Sequence, residues 1–282
     1  MTTLADRDWR LIAEDVRGGA MNMALDEIAA ETAAAGGPRT LRVYRWEPAT
    51  LSLGYHQAPE TVDWEFCERE GIDVVRRQTG GGGIYHDSWG DVSYSIVAPV
   101  EELPGDLMDS YERLCEPVLA AFSRLGVDAR FAEASQPAIY EPACYLRALH
   151  PAHDVVVSGD GEDSQDGGEK KVSGNAQYRR RDAVVQHGSL TYSVDADRHL
   201  AVFADPDATL RDFCERVTGI DAHAAVGRNE AVETLARTLR EWANADAGEW
   251  TDDELSRAHE RAEGKYATDE WNRGLTTGRA TR

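Results

Sequence analysis

The sequence predicts an α+β fold, a mostly antiparallel mixed sheet flanked by helices. Three observations carry that reading. Strand-like alternation fills the first two-thirds of the chain, helical periodicity takes over after residue 195, and one long amphipathic helix separates two groups of strands. Hairpins are expected to join most strands, with the helices on one side of the sheet. The 282 residues read as one domain, with a helical C-terminal part at about 195–272 and a disordered tail at 274–282.

Residues 22–35 are rich in Ala, Leu and Glu and stop at Gly36-Gly37-Pro38, which defines a helix. Alternation over 41–46 marks a half-buried strand, and 49–55 is its partner. A short helix at 63–70 and a strand at 72–76 lead to four glycines at 80–83, then strands at 83–86 and 92–97. Leu114, Val118, Ala121, Phe122 and Leu125 fall at helical spacing within 109–125. Strands follow at 129–131, 154–157, 171–173 and 184–192. Residues 158–169 (SGDGEDSQDGGE) have almost no apolar content and read as a solvated, mobile hairpin insertion. Helices close the chain at 200–203, 209–217, 230–245 and 252–267.

Asp and Glu number 51 against 30 Lys and Arg, a net charge of −21. Such a surface disfavours nucleic acid and anionic membranes, which require basic patches. Acid spread along the whole chain is of the halophilic type, the habit of a salt-accumulating organism. The first sixteen residues carry charges throughout and hold no signal-peptide core, and no run approaches the roughly 18 apolar residues of a membrane span. The expectation is a soluble, cytoplasmic protein. Cys67, Cys115, Cys144 and Cys214 lie far apart without a C-x-x-C pair, so neither a zinc knuckle nor a disulfide framework follows. His150-x-x-His153 is half a metal site lacking a third ligand, and no metal is expected.

Three segments can carry chemistry. In Arg76-Arg77-Gln78-Thr79-Gly80-Gly81-Gly82-Gly83-Ile84-Tyr85-His86-Asp87 the glycines allow close backbone approach to a ligand, and Arg77 adds charge for a phosphate or carboxylate. The run is neither a Walker A loop nor a dinucleotide-binding turn. In Lys170-Lys171-Val172-Ser173-Gly174-Asn175-Ala176-Gln177 a strand lysine precedes small residues, where it can polarise a carbonyl. Gln186-His187-Gly188-Ser189-Leu190 sets a histidine in an apolar strand. Taken singly, each has a plainer reading: a turn, a surface lysine and a core histidine.

Their order and spacing resemble the signature of the biotin/lipoate protein ligase superfamily. The likeness extends to Met23-Ala24-Leu25-Asp26-Glu27, to the stretch from Pro48 to Gln57, and to Lys265-Tyr266-Ala267-Thr268-Asp269-Glu270-Trp271-Asn272, and so spans about residues 20–272. It implies a catalytic domain like that of biotin ligases and class II synthetases. It also implies a substrate-binding set of Arg77, Thr79, Gly80, Gly81, Gly82, Tyr85, His86, Ser173, Gly174, Ala176, His187 and Gly188. Lys171 is implied as the residue that meets the acyl carbonyl and the acceptor lysine.

Within the superfamily two branches compete. Lipoate–protein ligases use ATP and Mg²⁺ and usually carry Asn-Asp before the lysine segment, which this sequence lacks. Glu141-Pro142-Ala143-Cys144-Tyr145 instead resembles the cysteine-dependent octanoyltransferases, which take octanoate from acyl carrier protein and need no cofactor. The preferred expectation is acyl transfer through a Cys144 thioester to a lysine of a lipoyl domain or of the glycine-cleavage H protein. Lys171 or a neighbouring histidine would activate the thiol. The plain glycine run, where transferases often hold an arginine, and the 158–169 insertion keep an ATP-dependent ligase with a separate accessory chain as the alternative. A non-catalytic paralogue that binds lipoate or a lipoyl domain is the third reading. A biotin ligase fits the glycine loop less well.

Overall fold

A computed structural model describes residues 4–151, 153–159 and 168–274. Strand β1 (Trp9–Arg17) leads into helix α1 (Gly19–Ala34), then β2 (Arg39–Trp46), β3 (Thr50–Leu53), α2 (Trp64–Arg69), β4 (Asp73–Arg76), β5 (Ile84–His86) and β6 (Asp91–Pro99). Helix α3 (Leu107–Arg124) precedes β7 (Ala129–Phe131), β8 (Asp154–Ser158), β9 (Glu169–Arg179) and β10 (Ala183–Thr191). The remainder is α4 (Ala196–Ala201), α5 (Leu210–Arg216), α6 (Arg228–Ala243), β11 (Asp246–Ala247), α7 (Asp252–Arg261) and α8 (Asp269–Arg273).

Eight strands form one mixed sheet in the order β11-β1-β2-β6-β10-β9-β8-β7. The pairings β11–β1 and β1–β2 are parallel, and the rest are antiparallel. A smaller sheet, β4-β3-β5, stands beside it. The α+β architecture agrees with the sequence reading, but helices cover both faces of the large sheet and not one. β6 (DVSYSIVAP) shows why: it is buried along its whole length, as a strand covered on both sides must be. Leu41, Val43, Tyr94 and Ile96 pack with Leu114, Val118 and Phe122 of α3 and Leu235 and Leu239 of α6. Tyr44, Trp46 and Val185 pack with Leu25 and Ile28 of α1 and Ala258 of α7. Ala24, Ala29, Ala30 and Ala33 are fully or almost fully buried, so α1 lies close against the sheet. A third cluster joins the small sheet, α4, α5 and the loop around Tyr145.

Strand β1 has no counterpart in the sequence reading. Its ladder to β2 shifts register between Ile12 and Asp15, and Glu14 takes a positive φ of 53°, so the alternation that marks a strand is broken. Helix α3 starts two residues earlier than expected because Asp106 caps it, accepting from the Met108 and Asp109 amides. At the base of the acidic insertion Ser158 pairs with Glu169, and the Gly159 amide donates to Gly168 O at 2.8 Å. Residues 160–167, and the tail beyond Gly274, lie outside the described residues. Among the described residues, no helix is long and apolar enough to cross a membrane.

One buried ionic network fixes α1 to the sheet. Arg42 donates to Asp26 Oδ1 at 2.6 Å, to Asn22 Oδ1 at 3.0 Å and to Asp15 Oδ2 at 3.3 Å, while Ser95 Oγ donates to Asp26 Oδ2 at 2.8 Å. Removing one partner strands the other charge in the core. Asp26→Leu alone should cost about 3–5 kcal/mol in denaturant unfolding, and adding Arg42→Met should restore part of that stability. A double variant less stable than Asp26→Leu would refute the account.

Candidate active site

A cavity of about 400 Å³ lies between the glycine run, β9 and β10, and the loop that carries Cys144. Its walls follow from how the glycine run meets that loop. The Gly83 amide donates to Pro142 O at 2.7 Å, and the Cys144 amide donates to Gly83 O at 2.9 Å. At Gly82 a Cβ would fall 2.7 Å from Pro142 O and 2.8 Å from the Cys144 nitrogen, so only glycine admits this approach. Gly81 has φ +96°, a second glycine requirement. The run therefore acts first as a seat for the Cys144 backbone, in addition to facing the cavity at Gly80 and Gly81.

Arg77 supports this seat from behind and does not offer its charge to a ligand. Its guanidinium donates to Ser52 O at 2.7 Å, to Gly80 O and Gly82 O at 2.8 Å, and to Thr79 Oγ1 at 3.0 Å. Burial lowers its pKa to about 10. Gln57 ties the end of β3 to the same seat, donating to Pro142 O at 3.1 Å and accepting from the Gly54 amide. Arg76 donates to the carbonyls of Gly54, Tyr55, Gln57 and Asn272, linking the loop to α8.

Cys144 opens a single 3₁₀ turn and is partly exposed at the cavity wall. Lys171 Nζ lies 3.9 Å from its Sγ and 3.3 Å from its carbonyl oxygen. The lysine is buried, and Asp154 Oδ1 holds it at 2.6 Å. Burial disfavours the ammonium, but the Asp154 charge outweighs it and raises the lysine well above its usual range. Burial likewise opposes the Asp154 carboxylate, and Lys171, with His153 beside it, holds the acid well below the usual range. The other thiols differ. Cys67 and Cys115 are buried, chiefly by which their pKa rises to about 12, and Cys214 is exposed on α5.

Strand geometry explains how Lys171 reaches this place. Asp154 pairs with Gly174 and Val155 with Ser173, but Val156 pairs with Lys171, which leaves Val172 as the extra residue of a bulge. Val155 and Val172 both enter the core under α3. The bulge thus turns Lys171 onto the face of Asp154 and Gly174. Without it, alternation would leave Lys171 on the side of Ser173, a residue buried outside the cavity.

The structure gathers most of the expected residues. Arg77, Thr79, Gly80, Gly81, His86, Cys144, Lys171, Gly174, Ala176, His187 and Gly188 line the cavity. Tyr85 does not. Successive residues of β5 alternate, so Ile84 and His86 face the cavity while Tyr85 packs behind it against His199. Gly82 contacts the Cys144 loop, and Ser173 is buried outside the cavity. His187 shares a hydrogen bond with Thr79 Oγ1 at 2.8 Å; burial, then the Arg77 charge, pushes its pKa down to about 3. His86 bonds Ser52 Oγ at 2.8 Å and Asp91, and stacks on Trp46. Trp46, whose indole donates to Ser93 Oγ at 2.9 Å, lines the cavity on β2. Asp154 and Trp46 are the residues that sequence reasoning missed. An aspartate opening a valine strand and a tryptophan closing one both read as packing. His150 and His153 also line the cavity, their rings stacked, and among the described residues no cluster is suited to a metal.

Two measurements test this geometry. Gly82→Ala should push the Cys144 loop off its seat and slow iodoacetamide labelling of Cys144 by about threefold or more relative to Cys214, read by peptide mass spectrometry. Equal labelling would remove the seat from the argument. Secondly, burial pushes both His187 and His199 down to about 3. The unfolded chain accepts their protons from about pH 6.5 downward and the native state does not, so stability is intact above that pH and lost as pH falls. Each site should contribute roughly 1 kcal/mol per pH unit of loss, and His199→Gln should flatten urea-unfolding stability between pH 6.5 and 5.

Comparison with known proteins identifies the family. Residues 19–241 match the family model described as lipoyl protein ligase A/B catalytic domain. The chain is 34% identical over 281 residues to an octanoyltransferase LipM of Kyrpidia tusciae, covering 94% of this chain and 98% of that protein. Octanoyltransferase LipM of Bacillus subtilis is 32% identical over 286 residues, with 94% and 97% covered. Among solved structures, lipoate-protein ligase A bound with ATP superposes with a TM-score of 0.77 at 29% identity, covering 95% of this chain and all of that one. The bipartite lipoate protein ligase of Thermoplasma acidophilum, described with its E2 lipoyl domain, gives 0.76 at 29%, with 96% and 98% covered. Match and architecture together make this chain a member of the lipoyl protein ligase A/B catalytic-domain family.

Proposed function

We propose that the protein is an octanoyltransferase of protein lipoylation, moving an octanoyl group from acyl carrier protein through Cys144 to a lysine of a lipoyl domain or H protein. The observation that carries this reading is Cys144 Sγ at 3.9 Å from the buried Lys171 ammonium, on the wall of a cavity large enough for an acyl chain. Relatives named octanoyltransferase across nearly the whole chain support it.

In the first step the Cys144 thiolate attacks the carbonyl carbon of the donor thioester. A C–S bond to Cys144 forms, the donor C–S bond breaks, and the donor leaves as a thiolate that takes up a proton. In the second, the neutral amine of the acceptor lysine attacks the Cys144 thioester. The amide forms, the thiolate is released, and the amine gives its proton to solvent. Lys171, pinned as a cation by Asp154, supports the thiolate before each turnover and the carbonyl oxygen as it gains charge. The same pinning makes Lys171 a poor base. Acyl transfer by this route uses no cofactor; the alternative ligase would require ATP and Mg²⁺.

The test is intact-mass analysis of a lipoyl domain incubated with octanoyl-acyl carrier protein alone, or with free lipoate, ATP and Mg²⁺. Acylation from the carrier without ATP, abolished by Cys144→Ala and retained by Cys67→Ala, is the expected result. Asp154→Asn should slow it by roughly 10²-fold while leaving Cys144 in place. Acylation only from free acid and ATP, indifferent to Cys144→Ala, would make the protein a ligase. Binding without acylation in either arm would mark a non-catalytic paralogue.

A further inference from the structure

A second cavity, of about 270 Å³, lies where β1, β2, the turn before β6 and the start of α6 meet. Its lining includes Arg45, Arg228, Trp89 and Glu14. In a chain of charge −21, this lining holds two arginines against one carboxylate. Arg228 is more than nine-tenths buried, its Nε donates to the Trp89 carbonyl at 2.8 Å and its guanidinium lies 5.2 Å from the centre of the Trp89 ring; among the described residues no carboxylate forms an ion pair with it. Arg45 Nε is buried and, among the described residues, has no hydrogen-bond partner. Glu14, exposed on the bulge of β1, is the single carboxylate in the lining. Burial first, and then the Arg45 charge, lower the Arg228 pKa, and the charges of Glu14 and Asp91 only partly oppose them. Helix α6, sixteen residues long, begins here behind Gly227 with no side chain capping its amides. Trp89 and Val16, both exposed, stand beside the arginines.

We propose that this cavity is a binding site for a phosphate-class oxyanion, bridged by Arg45 and Arg228. Two separate guanidinium groups match an anion with several acceptor oxygens better than a two-oxygen carboxylate, and arginine forks pair with phosphate in this way. The volume exceeds that of the bare ion, and the valine and indole surfaces beside it suit an ester substituent. The site does not share the Cys144 cavity's reacting groups, so it stands independently of the transferase reading.

The experiment titrates the full chain with sodium phosphate or glycerol phosphate, against sodium chloride and acetate at matched ionic strength, following melting temperature and tryptophan emission. Phosphate should raise the melting temperature by about 2–4 °C in a saturable manner. The emission change should vanish in Trp89→Phe. Arg45→Gln should weaken binding by about tenfold or more with acylation of a lipoyl domain unchanged; Arg228, which also holds the Trp89 carbonyl, is left intact. Tighter binding of the ester identifies an esterified ligand, and preference for the bare ion identifies free phosphate. An equal response to chloride, a phosphate response retained in Arg45→Gln, or an emission change retained in Trp89→Phe would each overturn the assignment.

Discussion

The buried contact between Lys171 and Asp154 is the constraint around which the site is built. A lysine and an aspartate that are both almost fully removed from water would each prefer to be neutral, and only their 2.6 Å separation keeps both charged. Reaching that separation requires the bulge at Val172, because regular alternation would send Lys171 to the other side of β9. Bulge and ion pair are therefore two descriptions of one device. The backbone irregularity is stabilised by Val155 and Val172 in the core, and its product is a fixed cation at a point where a thiolate can use it.

The proposed nucleophile is positioned by backbone, through a different part of the fold. Cys144 sits on a turn held by two hydrogen bonds to Gly83 and by Gln57 at the Pro142 carbonyl, and the glycine run is held in turn by Arg77. Arg76 then couples that assembly to α8 at Asn272. The small sheet and helix α8 are thus tied to one loop. A loop made of glycines has high conformational entropy when free, so holding Cys144 in one place demands several anchors. The two arginines of the Arg76-Arg77 pair, which look like ligand-binding charges, supply those anchors by donating to carbonyls.

Much of the fold was legible because its signals are local. Residues 109–125 carry five apolar residues at helical spacing, and nearly the same segment forms α3. The strand expected at 184–192 is β10, which runs from Ala183 to Thr191. Local signals fail where the backbone departs from regularity or where tertiary packing decides. β1 was hidden by its register shift, the length of β9 by its bulge and its small polar residues, and the second helical layer by the fact that a buried strand does not say what buries it. The site divides in the same way. Cys144, Lys171 and the glycine run were found through a family pattern. Asp154 was not, because its role depends on a pairing across two strands that no spacing reveals.

The charge inventory of the cavity also bears on which chemistry it suits. Its permanent cations are Arg77, Arg147 and Lys171. Arg77 is turned to carbonyls, Lys171 is matched by Asp154, and Arg147 is paired with Glu141 at 3.0 Å. A triphosphate entering this space would find Arg77 and Lys171 already engaged and only Arg147, in a solvent-exposed pair, open to it. An acyl chain asks for much less. It needs an apolar wall, one cation near its carbonyl and a nucleophile within reach, all of which the cavity provides. Activation carried by a donor thioester removes any need to hold a nucleotide, and the electrostatics of this pocket favour that route.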